Sequence, residues 1–193
     1  MYTLPTSIQI GDKEFKIREN GDFRLVLDCF NALNDEELNM EERIISCLII
    51  FYDSMTCYED LLEIPDLEEA VLKMNEFFNC GQPESSNNSV NYKLVDWNKD
   101  SQIISSAINK VAGFETRSAP YIHWWTYIGY YMGVGESALA TIVSIRNKIK
   151  TGKKLEKYEQ EFTRENPQYF NWDSRTIQRK EDDLYIESLW NNN

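Results

Sequence analysis

The sequence predicts an all-α fold of about seven helices with a small N-terminal β-hairpin, and three observations carry that expectation. Apolar residues recur at helical spacing in successive segments, many opened by a capping side chain or closed by glycine. Only 8 Gly and 5 Pro punctuate 193 residues, against many Glu, Lys, Leu and Ile, a balance that favours helix. A period-two alternation stands at the start of the chain. With 42% apolar residues, among them 11 Tyr, 9 Phe and 5 Trp, there is material for a sizeable core, which excludes wholesale disorder.

Ser7-Ile8-Gln9-Ile10 and Glu14-Phe15-Lys16-Ile17-Arg18 flank Gly11-Asp12-Lys13 and read as the hairpin. A lone hairpin is marginal in water, so Ile8, Ile10, Phe15 and Ile17 must pack on helices or on another chain. Asp22 caps a first helix carrying Phe23, Val26, Leu27 and Phe30. Asn39 and Glu42 form a capping box for a second, apolar nearly all round and therefore expected at the centre. Pro65 in the first turn, the acids behind it and Gly81 past the end delimit a third. Asp100 caps a fourth, which Gly113 stops; a fifth is expected from about Pro120 to Met132, a sixth from about Glu136 to Lys150, and a seventh ending before Pro167. The chain is expected to divide into a hairpin and acidic helical part at 1–81, a linker or loop at 82–92, a helical part at 93–166 and a polar tail at 167–193. The tail is apolar only at Trp172, Ile177 and the Leu184–Trp190 patch.

The formal charge is −12, and it is unevenly placed. Residues 1–100 carry 8 Lys/Arg against 21 Asp/Glu, whereas 101–193 carry 12 against 11. A chain that coats nucleic acid needs a basic face, so nucleic acid is not an expected partner. The longest apolar run, Cys47 to Tyr52, is far short of the ~20 residues of a membrane helix, and no secretory signal is visible. Cys29, Cys47, Cys57 and Cys80 show no CxxC spacing and sit among apolar neighbours, as reduced core cysteines do.

Little here suggests chemistry. His123 is the only histidine, so no HExxH or other zinc pattern can be built, and it reads as a structural histidine among aromatics. Glu36-Glu37, Glu41-Glu42 and Glu68-Glu69 suit helix first turns and solvated faces rather than acid–base pairs. Gly133-Val134-Gly135 lacks the third glycine of a dinucleotide loop. With no nucleophile, base and orienter together, neither an enzyme nor a cofactor is expected.

Two surface features stand out. The block from Tyr121 to Tyr131 is aromatic over more circumference than one core face requires, with Trp124, Tyr127, Ile128 and Tyr131 on one stripe and Tyr121, Trp125 and Gly129 on another. Either this helix packs on two sides, or one stripe is a partner surface. Tyr121, His123, Trp124, Trp125, Tyr127 and Tyr131 are the candidate partner-binding residues. Arg146 to Lys157 is a basic run in which Lys150, Lys153, Lys154 and Lys157 can share a face. It reads as a solvated helix end, or as a site of self-association that docks on the acidic half of another copy in a homo-oligomer.

Phe77-Phe78-Asn79-Cys80-Gly81 closing an acidic helix, the Asp100-capped helix, Tyr121-Ile122-His123-Trp124-Trp125, Ser144-Ile145-Arg146 and Gly152-Lys153-Lys154-Leu155 together resemble the bacteriophage gp-fifteen family, over roughly Ile8 to Asn166. Its members are small proteins encoded beside the tape measure protein in long-tailed phages and prophages of Gram-positive bacteria. The resemblance implies a tail assembly chaperone that coats the aggregation-prone tape measure protein while the tube polymerises, then leaves. It implies the host cytoplasm as the location, absence from the mature virion, and the tape measure protein, a second tail assembly chaperone and the tail tube protein as partners. It brings no catalytic residues. The rival expectations are a virion protein at the neck or tail completion site, and an acidic DNA mimic that blocks a host protein.

Overall fold

The computed structural model describes residues 3–82 and 94–171, and it bears out the helical fold with an N-terminal hairpin. The expected linker from residue 83 on lies outside the described residues. So does the tail beyond Asn171, with Trp172, Ile177 and the Leu184–Trp190 patch. The chain forms two compact units, one of Met1–Val90 with Ser101–Gly135 and one of Asn91–Asp100 with Glu136–Asn193. The units interleave along the chain.

In the first unit, β1 (Ser7–Ile10) pairs antiparallel with β2 (Lys13–Lys16), Ile8 opposite Phe15, around Gly11 at φ +53°. The anticipated packing of the hairpin is met by Ile10, Phe15 and Ile17, all buried, with Phe15 edge-on to Tyr52 at 5.9 Å. Arg18 donates to the carbonyls of Ile49, Ile50, Tyr52 and Met55, so its cation closes the C-terminal end of the second helix.

Helix α1 (Phe23–Leu33) starts at Asp22, whose carboxylate accepts from the Arg24 N–H. Helix α2 (Met40–Phe51) carries the capping box, with Glu42 N–H on Asn39 and Asn39 N–H on Glu42. It packs on α1 and on α3 (Leu67–Phe78). Cys47, Leu48 and Phe51 are its buried residues, while Ile44, Ile45, Ile49 and Ile50 are half-buried, so α2 is less enclosed than its composition suggests. Pro65 lies one residue before the α3 cap, Asp66, rather than in the first turn, because the Asp66 carboxylate takes the Glu69 N–H. The helix then ends in two left-handed residues, Cys80 and Gly81. Gly81 N–H reaches back to Glu76 O at 2.7 Å, a Schellman-type closure.

Helix α4 (Ser101–Ala112) ends at Gly113, φ +80°, and packs on α5 (Trp124–Met132), which also meets α1. Helix α5 begins at Trp124, later than the expected Pro120. Residues 116–118 form a 3-10 turn instead, pinned by Thr116 N–H and Oγ1 on Asn109 Oδ1, and the His123 side chain supplies the cap.

The second unit holds α6 (Ala138–Lys150), capped by Ser137, and α7 (Lys157–Glu165), joined through Gly152 at φ +67°. Among its described residues, Leu139, Ile142 and Ile145 are the buried apolar ones. Arg146 is buried beside them and makes a two-pronged ion pair with Asp100, at 2.6 and 2.8 Å.

Candidate functional site

The segment Tyr121–Trp125 is the junction of the first unit: Tyr121, Ile122 and His123 each bind a different part of the chain, and Trp124 and Trp125 both bind the end of α3. Tyr121 donates its hydroxyl to Asn20 O at 3.0 Å. Ile122 donates its N–H to Asp22 Oδ2 at 2.8 Å and accepts from the Phe23 N–H, tying the start of α1 to the approach to α5. His123 Nδ1 accepts the Trp125 N–H and so caps α5, while its Nε2 lies 3.0 Å from Pro5 O. A carbonyl can only accept, so the imidazole is neutral with its proton on Nε2. Burial lowers the His123 pKa below its ordinary value; the Pro5 carbonyl and the Asp22 carboxylate pull weakly the other way.

The two indoles finish the junction. Trp124 Nε1 donates to Phe78 O and Trp125 Nε1 to Phe77 O, each at 2.9 Å. The last carbonyls of a helix have no intrahelical donor, so these indoles serve as the C-terminal cap of α3. Trp125 also lies against Gly81, where a Cβ would stand 3.1 Å from the ring. Tyr127 stacks on Phe23 at 4.1 Å, and Phe30 meets Trp124 and Phe78 edge-on.

Of the six candidate partner-binding residues, His123, Trp124 and Tyr127 are buried, Trp125 and Tyr131 are half-buried and Tyr121 is exposed. Burial removes the first three from any surface, and most of the surplus aromaticity braces the protein itself. Asp22 and Arg24 were missed as partners of this junction. The buried Asp22 carboxylate receives Arg24 Nη1 at 2.9 Å, and Arg24 Nη2 holds the carbonyls of Arg117 and Ala119. An Asp-x-Arg at a helix start is too common to signal that role.

One group of exposed apolar side chains lies at the other end of the same helix. Val111 and Phe114, at the end of α4, and Met132, at the end of α5, are all exposed, Met132 at 76%. Phe114 meets Tyr130 edge-on at 6.4 Å, and a Cβ on Gly133 would stand 3.1 Å from Val111 Cγ1, so the two helix ends converge. Several large apolar groups exposed together are the mark of a surface that receives another molecule.

The basic run is thinner than its sequence. Arg146 is spent on Asp100 and on the carbonyls of Leu94 and Tyr169. Lys148 pairs with the buried Glu159 at 2.7 Å; that hydrogen bond raises the lysine pKa and lowers the carboxylate's. Among the self-association candidates, Lys153, Lys154 and Lys157 are exposed. Lys150 is half-buried, and its pKa is lowered by burial and then by Arg146.

The cysteines are all free, but only Cys29 and Cys47 are buried. Cys57 is exposed because it opens a 3-10 turn and not a helix; Cys80 is half-buried at the left-handed end of α3. Among the described residues no group of three or more His, Cys, Asp or Glu could hold a metal ion, and no helix is long and apolar enough to cross a membrane.

The fold and its junction define a helical protein whose most distinctive aromatics brace its own core, with an apolar surface beside them. Residues 2–170 match the family model described as Bacteriophage Gp15 protein, and the chain belongs to that phage family. No curated protein and no solved structure matches it.

Proposed function

We propose that this phage protein is a non-catalytic tail assembly chaperone that binds the tape measure protein in the host cytoplasm during tail morphogenesis. The observation that carries the reading is the exposed apolar end of the α4–α5 pair: Val111, Phe114 and Met132 on a chain of charge −12. A chaperone for an aggregation-prone client needs both parts. Apolar groups bind the client's helices, and like charges keep the loaded complex in solution. Methionine suits such a face because its unbranched thioether adapts to varied partners. The junction at Tyr121–Trp125 contributes rigidity, holding α5 so that its far end is presented.

Co-expression with the tape measure protein tests the reading. The client is expected to become more soluble and to co-purify, and the chaperone is expected to be absent from purified particles. A client equally soluble alone would overturn it. Recovery of the chain as a fixed component of purified tails would favour a virion protein at the neck or tail completion site.

A further inference from the structure

We propose that the protein self-associates head to tail, the acidic face around Leu62 of one copy binding the basic face between α6 and α7 of the next. The proposal concerns copies of this chain and does not depend on which client the protein holds.

The acidic face is built by the 3-10 turn Tyr58–Glu63 and the start of α3. Leu62 is 83% exposed; Tyr58 in the same turn and Leu67 at the start of α3 are exposed as well, although neither element has reason to display large apolar groups to water. Exposed acids alternate with them: Glu59, Glu63 and Glu68. Lys13 reaches Glu63 at 3.8 Å with both side chains exposed, a contact too solvated to neutralise the face.

The second unit carries the complement. Ile149 and Tyr158 are exposed, Tyr158 at 64%, and Lys153, Lys154 and Lys157 stand exposed between them in sequence. Arg146 and Lys148 are paired within the unit, whereas no ion pair among the described residues engages Lys153, Lys154 or Lys157. Each face thus sets apolar groups among charges mostly of one sign, with Lys13 the exception on the acidic face and the exposed Glu156 the exception on the basic one, and the two prevailing signs are opposite. That is the composition of an interface in which apolar groups hold and charge sets register. Because the faces differ, the contact is heterologous and propagates from copy to copy instead of closing as a two-fold pair.

Light scattering and sedimentation of the full chain test this with charge exchange. Wild type is expected to grow in mass with concentration beyond a dimer. Lys153→Glu with Lys154→Glu and Lys157→Glu should weaken association roughly tenfold or more, as should Glu59→Lys with Glu63→Lys. Leu62→Ser should weaken it with no change of charge. Mixing the two charge-reversed variants should restore it, since each then offers the other a complementary face. Circular dichroism matching wild type shows that the variants are folded. A strict monomer at every concentration, association indifferent to both reversals, or failure of the mixture to recover with both variants folded overturns the proposal.

Discussion

Replacing Arg146 by Met should cost the second unit about 3–5 kcal/mol, because it strands a buried carboxylate. The side chains of Arg146 and Asp100 are 5% and 1% exposed. Arg146 supplies both charge-assisted bonds to Asp100 and also donates to Leu94 O and Tyr169 O. Met fills most of the volume but offers no donor, and Asp100 keeps the Asp96 N–H at 2.9 Å. One backbone donor does not offset the desolvation of a full charge. A domain has about 5–15 kcal/mol in all, so the single variant should open this unit well before the rest of the chain. Adding Asp100→Asn removes the stranded charge and keeps an acceptor for Asp96, so the double variant should regain most of the loss. Amide hydrogen exchange across α6 reads the effect locally, and urea midpoints read it globally. A single variant within about 1 kcal/mol of wild type, or a double variant no better than the single, refutes the reasoning.

Other outcomes follow from the same geometry. His123 has its pKa lowered by burial, so its neutral form stabilises the fold fully above its unfolded value, about 6.5, and that contribution is lost as pH falls through the depressed folded value. His123→Asn keeps a capping acceptor and should remove this part of a stability–pH curve; a curve unchanged between pH 6.5 and 5 contradicts it. Gly21→Ala should destabilise strongly, since Gly21 sits at φ +76° and a Cβ would stand 2.7 Å from Phe77 Cζ; a thermal midpoint equal to wild type counts against that packing. Native thiol labelling should show Cys57 reacting fast, Cys80 slowly because burial raises its pKa, and Cys29 and Cys47 protected; four equal rates would contradict the burial pattern.

What the sequence revealed was local. Asp22, the Asn39–Glu42 box and Gly113 announce helix ends because a cap acts within one turn of its own residue, and each stands where it was expected. What it concealed was the destination of long side chains. Periodicity put Trp124 and Trp125 on different stripes of one helix, but that their N–H groups close α3, more than forty residues earlier, is not encoded in spacing. The start of α5 was misplaced for the same reason: Pro120 is a good first-turn residue, yet the His123 imidazole provides the cap. Arg146 looked like part of a basic surface until Asp100, 46 residues away, claimed it. The exposed end at Val111, Phe114 and Met132 was invisible as a surface, because apolar residues near a helix end read as core until the neighbouring helix is seen to stop.

On the proposed reading, the α4–α5 end is the surface that would receive the tape measure protein. A photo-crosslinking residue placed at Met132, compared with one at the exposed Ser144 of α6, tests this directly in cells that co-express the tape measure protein. The account predicts a crosslink to the tape measure protein from position 132, weakened by Phe114→Ser, and little from position 144. Equal crosslinking from both positions, or none from 132 while the two proteins still co-purify, would contradict it.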